Sequence, residues 1–163
     1  MRNDMEIKVG MADLNVCTSP DTIATLGLGS CVGVVLWDPV LKLCGMVHIM
    51  LPDSTSITNN SNRAKFADTG IEECLQLVLK QGAKKERLVS KIAGGAQMFH
   101  LNTSNMMLRV GDRNVEAVMA KLKELNIPLL AQDTGDSYGR TVIFHPETGD
   151  YVIRAIGKEE RII

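Results

Sequence analysis

The chain lacks an apolar run approaching the ~18 residues that crossing a bilayer requires. It also lacks a basic stretch: 18 Lys and Arg face 19 Asp and Glu, a net charge of −1. That balance removes the electrostatic case for a nucleic-acid partner. The opening Met1-Arg2-Asn3-Asp4-Met5-Glu6 leads into no signal-peptide apolar core, so a soluble, cytoplasmic protein with no membrane insertion is expected. Cysteine is sparse, and Cys17, Cys31, Cys44 and Cys74 form no Cys-x-x-Cys pair. A cytoplasmic compartment disfavours disulfides among them. A metal set of Cys31, Cys44, His48 and His100 matches no standard zinc spacing, so neither metal nor cofactor is expected. Internal repeats and linkers are absent as well, and residues 1–163 are read as a single domain, large enough to bury a proper core.

What is present is an ordinary globular balance, 45% hydrophobic and 23% charged. Residues 6–16 read as a strand-like entry, and Val32–Trp37 and Leu43–Met50 as two strands of a hairpin. The polar stretch 53–62 reads as a mobile loop, either a substrate flap or a solvated connector. Helical spacing of Ile71, Leu75, Val78 and Leu79 predicts a helix over 65–81 stopped by Gly82. A second helix is predicted over 113–125, with Asp112 as its N-cap. Strands are predicted at 88–93, 127–131, 140–144 and 151–156, the last two joined by a Pro146-Glu147-Thr148-Gly149 turn. The order β-β-α-β-α-β-β-β predicts an α/β fold with helices packed over a mixed sheet.

One stretch carries most of the chemical information: Thr25-Leu26-Gly27-Leu28-Gly29-Ser30-Cys31-Val32-Gly33, followed by Gly45-Met46-Val47-His48. The thiolate is the reactive form of cysteine, and a nearby imidazole that takes its proton makes a nucleophile. If Trp37 pairs with Lys42 across the Asp38-Pro39-Val40-Leu41 loop, Cys31 falls opposite His48. Directly opposed side chains in an antiparallel pair have Cβ atoms about 4.5–5.5 Å apart. A second reading stays open, in which Cys31 is a small buried hydrophobe and His48 a satisfied core residue.

Gly29-Ser30-Cys31-Val32-Gly33 superficially fits a nucleophile elbow, but that device needs a helix after the nucleophile. Here a β-type run follows, stopped by Pro39, and the elbow fails. Nor is this a phosphate loop, since no helix or lysine follows in the required place. Gly27 and Gly29, with Ser30, instead suggest a tight supporting loop whose backbone N–H groups could stabilise an oxyanion. A simple turn into a strand is the alternative.

These residues closely resemble the CheD family of chemoreceptor glutamine deamidases. The resemblance runs from Thr25–Cys31 and His48-Ile49-Met50-Leu51-Pro52 through Lys65-Phe66-Ala67-Asp68 and Lys91–Phe99. It continues at Gly111-Asp112-Arg113-Asn114 and Gly139–Phe144, so it covers nearly the whole chain. It implies a single-domain α/β sandwich related to toxin-type deamidases, and hydrolysis of receptor glutamine side chains to glutamate through a cysteine thioester. It implies a Cys-His-Thr triad in which Cys31 is the nucleophile, His48 the general base and acid, and Thr25 the residue that orients His48. It further implies chemoreceptor cytoplasmic helical domains as substrate and CheC, a chemotaxis phosphatase, as regulatory partner. A regulatory module with secondary deamidase activity is the alternative. One departure stands out: this chain has Gly135-Asp136-Ser137-Tyr138 before Gly139-Arg140, where family members often carry Gly-Gly-Asn. If that second glycine needs a positive φ, Asp136 tolerates it better than most residues.

Overall fold

The computed structural model describes residues 4–98 and 109–163. Among these residues ten strands and two α-helices follow in chain order, as β1 (Glu6–Val9), β2 (Leu14–Thr18), β3 (Thr22–Leu28), β4 (Val32–Asp38), β5 (Leu43–Ile49) and α1 (Ala67–Lys80). They continue as β6 (Val89–Gly94), α2 (Val110–Glu124), β7 (Leu129–Thr134), β8 (Arg140–His145), β9 (Asp150–Arg154) and β10 (Arg161–Ile162). The α/β class holds, with the strands divided between two five-stranded sheets ordered β1-β3-β8-β9-β10 and β2-β5-β4-β6-β7. Each sheet is mixed, through a parallel β1–β3 pair in one and a parallel β6–β7 pair in the other. Among the described residues no helix is long and apolar enough to cross a membrane.

The layering follows from β4 and β5. Both are apolar almost throughout and buried along nearly their whole length, the pattern of strands covered on two faces. Val32, Val34, Leu36, Val47 and Ile49 turn toward the helices and pack with Ile71, Val78, Val118 and Leu122. Val35, Cys44, Met46 and Cys31 turn the other way and pack with Ile23, Leu28, Phe144 and Tyr151 of the other sheet. Period-2 alternation thus divides one hairpin between two cores, and His48 shares the second face with Cys44 and Met46.

Several boundaries differ from those the sequence predicts, each for a local reason. The entry over 6–16 is two strands in different sheets, because Gly10–Asp13 turns the chain with Ala12 at φ +56. Of the tight loop read at Gly27, Gly29 and Ser30, Gly29 and Ser30 do form a bend between strands, but Gly27 belongs to strand β3, whose ladder to β8 is irregular between Thr25 and Leu28. Gly27 sits in that irregularity at φ +70. Helix α2 starts at Val110, so Asp112 lies within its first turn and pairs with Arg109 rather than capping the helix. Helix α1 does stop before Gly82, which adopts φ +110. The 53–62 stretch is tethered: Ser54 is buried, and its N–H and hydroxyl both donate to Asp68 in the first turn of α1. Asp136 does take a left-handed conformation, at φ +59. An aspartate therefore occupies a turn position that favours glycine.

Candidate active site

The β4–β5 register places Gly33, not Cys31, opposite His48. The predicted pairing fails because Asp38 is the last strand residue and the turn is Pro39–Lys42. Its carboxylate accepts from the Val40 and Leu41 N–H groups and from Arg87 at 2.8 Å. Burial pushes the Asp38 carboxyl up, but the hydrogen bonds from Arg87 and three backbone N–H groups outweigh it and hold it below the usual range. Lys42 completes the turn at φ +54. The correction is a shift of two, so Cys31 and His48 keep a common face and become diagonal neighbours. Diagonal positions lie about 7–8 Å apart. Gly33, with no side chain, leaves room for Tyr151, whose hydroxyl donates to the Gly33 carbonyl at 2.9 Å.

Thr25 and His48 meet directly. His48 Nδ1 lies 2.7 Å from Thr25 Oγ1, and the same hydroxyl donates to the Val9 carbonyl at 2.7 Å. Both side chains are buried. A threonine hydroxyl has one proton, and a carbonyl only accepts, so that proton belongs to Val9. Thr25 Oγ1 therefore accepts from His48 Nδ1–H, which leaves the Nε2 lone pair bare. Nε2 is buried and has no hydrogen-bond partner among the described residues, Cys31 Sγ included. Burial holds the His48 pKa below its ordinary value and pushes the Cys31 thiol up. At rest the two groups are a neutral imidazole and a neutral thiol.

Cys31 lies at the end of a loop gripped through its carbonyls. Gly29 O accepts from Ala96 N–H, Ser30 O from Asn114 Nδ2 and Cys31 O from Gly95 N–H, at 2.8, 2.9 and 2.8 Å. Gly94, at φ +116, allows the close approach, since a Cβ there would stand 2.2 Å from Cys31 O. The loop's outer side meets Met98, which packs on Gly29 and is half exposed.

The remaining cysteines lie elsewhere. Cys17 and Cys44 oppose each other across β2–β5, and Cys74 reaches the same region from α1. Burial pushes the Cys74 thiol up to about 12 and raises Cys44 as well. Cys44 and His48 stand four residues apart on one strand, about 13 Å, too far to share an ion. His100 falls outside the described residues, as does Phe99 at the end of the 91–99 motif. Sequence reasoning assigned no role to Asn114. Its signal was a polar residue at the head of the buried stripe Asn114, Val118, Leu122 on α2.

The family described as CheD chemotactic sensory transduction matches residues 50–155, a span that begins beyond Thr25, Cys31 and His48. A protein of Lachnoclostridium phytofermentans named "Probable chemoreceptor glutamine deamidase CheD" is 62% identical over 157 residues, 96% of this chain and 98% of that one. "Chemoreceptor glutamine deamidase CheD" of Halalkalibacterium halodurans is 56% identical over 162 residues, 99% of each chain. A Caldanaerobacter subterraneus protein with the former name is 52% identical over 151 residues, 93% of each.

Proposed function

We propose, from the premise that this chain belongs to the CheD family, that it deamidates glutamine side chains of bacterial chemoreceptors, with Cys31 as nucleophile, His48 as base and acid, and Thr25 as the orienting residue. The observation that carries this reading is the Val9–Thr25–His48 chain of hydrogen bonds, which commits a buried imidazole to the tautomer with a bare Nε2.

Cys31 Sγ attacks the carboxamide carbon as its proton passes to His48 Nε2. Because the resting pair is neutral, proton transfer accompanies attack, and a small rotation of the Cys31 side chain closes the diagonal gap. The carboxamide oxygen becomes an oxyanion. The Gly29–Cys31 loop is held by its carbonyls, and the Gly29 N–H is spent on Gly27 O, so the Ser30 and Cys31 N–H groups are the donors that meet that oxyanion. The imidazolium then returns its proton to the departing nitrogen, and ammonia leaves a thioester on Cys31. Water, losing a proton to Nε2, adds to the thioester carbonyl, and collapse restores the thiol and releases glutamate. Each step needs the Nδ1–H to stay on Thr25, which orients the ring and supports the imidazolium without carrying charge.

The chain over 1–163 acts in this reading as one deamidase domain in the cytoplasm, on the helical signalling region of the receptor. Replacing neutral glutamines by glutamates there tunes signalling through charge. A CheC-type phosphatase is the proposed regulatory partner, on the family resemblance. The test is incubation with a chemoreceptor cytoplasmic fragment, followed by peptide mass spectrometry and ammonia measurement. Glutamine-to-glutamate conversion at a few positions, with matching ammonia release, supports the reading; an unmodified receptor refutes it.

A further inference from the structure

Asn114 is the one polar side chain in the buried stripe of α2, with Val118 and Leu122 below it. Its Nδ2 lies 2.9 Å from Ser30 O and 3.0 Å from Met50 O. Both contacts are carbonyls, so the amide orientation is fixed, and its two N–H groups are both spent on them. Its Oδ1 is buried without a partner among the described residues. A side chain selected only to fill this space would be apolar, since an unpaired buried carbonyl is unfavourable.

The two carbonyls it joins are not neighbours in the chain. Ser30 directly precedes Cys31, and Met50 lies two residues beyond His48. The β4–β5 ladder ends at the Val32–Ile49 pair, and beyond it Met50 and Leu51 donate their N–H groups to Lys65 O. The strands separate at the point where the nucleophile and the base must be held in register. Asn114 spans that opening in place of the ladder. The first turn of α2 is seated on the segment that follows β6: Gly111 packs so closely on Gly95 and Ala96 that a Cβ would stand 2.4 Å from Ala96 O. Those two residues hold Cys31 O and Gly29 O.

We propose that Asn114 is a positioning residue that sets the distance between the Cys31 loop and the His48 strand, bridging Ser30 and Met50 with its two amide N–H groups. The inference rests on the deamidase reading for its catalytic consequence, but not for its geometric one.

The test compares Asn114→Leu, which keeps the branched shape and removes both donors, with Asn114→Ser, which keeps one donor in less space. Val118→Ala serves as the control for loosening α2 without touching the bridge. Two readouts apply: kcat and KM on the receptor fragment, and the pH profile of Cys31 alkylation by iodoacetamide, which needs no receptor. Asn114→Leu is expected to lower kcat about 100-fold, the scale of a 1 Å misplacement, with KM unchanged and the alkylation profile displaced. Asn114→Ser is expected to fall between it and the wild type, and folded Val118→Ala to match the wild type in both readouts. Wild-type kcat and an unmoved profile in either folded Asn114 variant would overturn the proposal, as would an equal loss in Val118→Ala. If the wild type leaves the receptor unmodified while Asn114→Leu still displaces the profile, the deamidase reading falls and the bridge stands.

Discussion

Replacing Thr25 by valine removes one hydroxyl from a buried site and almost nothing else. The change orphans two groups: the Val9 carbonyl, which accepts from Oγ1, and His48 Nδ1–H, which donates to it. Each buried unpaired group costs about 1–3 kcal/mol of stability, so the variant unfolds at lower urea but remains folded under assay. The catalytic loss has a different origin. Without Oγ1 the Nδ1–H tautomer loses its partner, a bias of about 1–3 kcal/mol. At about 1.4 kcal/mol per tenfold, that removes roughly 5- to 150-fold of the form with a bare Nε2. Thr25→Val should therefore lose about 10- to 100-fold in kcat, whereas His48→Ala loses the base itself, about 10²–10⁴-fold. Thr25→Ser keeps both hydrogen bonds and should recover most of the rate. The assay is deamidation of a receptor fragment by mass spectrometry, beside urea unfolding of each variant. Wild-type turnover in Thr25→Val would refute the reasoning, as would a Thr25→Ser no better than valine.

Two further outcomes follow from the same geometry. Gly94→Ala forces a Cβ to within 2.2 Å of Cys31 O at φ +116; it should cost about 3 kcal/mol from strain and overpacking and depress kcat, while Gly10→Ala, with nothing within 4 Å, stays within about 0.5 kcal/mol of wild type, as urea midpoints will show. The His48 pKa is lowered in the folded protein by burial, so the unfolded chain binds this proton more readily; its contribution to stability is complete above the unfolded value of about 6.5 and is lost as pH falls through the folded value. Urea titrations should show a shallower loss for His48→Asn over that acidic window, and the acid limb of kcat/KM should lie below about pH 6.5; a limb above it would contradict a buried neutral base.

The sequence was most legible where one physical rule acted alone. Gly82 ended α1 because a left-handed C-terminal position suits glycine, and alternation along Leu43–Ile49 correctly gave two faces. The hairpin register was missed because Asp38, a residue of turn-forming type, is instead drawn into the strand by Arg87, Val40 and Leu41. That pairing is tertiary, since Arg87 is distant in the chain. The second sheet was missed for a related reason: β1 and β2 are too close in sequence for periodicity to reveal that they belong to different sheets. Within the site, Cys31 and His48 were visible as chemistry-bearing types near one hairpin. Thr25 reads locally as an ordinary strand residue, and the family resemblance alone singled it out. Neither Val9, which acts through its backbone, nor the bridge made by Asn114 leaves a local pattern that names its partner.

The most direct measurement assays Cys31→Ala beside Cys17→Ala, Cys44→Ala and Cys74→Ala on one receptor fragment, reading glutamine-to-glutamate conversion after urea unfolding has shown each variant folded. The nucleophile assignment predicts no conversion above background for Cys31→Ala and retained chemistry for the other three, whose thiols lie in the core away from His48. Conversion at the wild-type rate by a folded Cys31→Ala protein would contradict it.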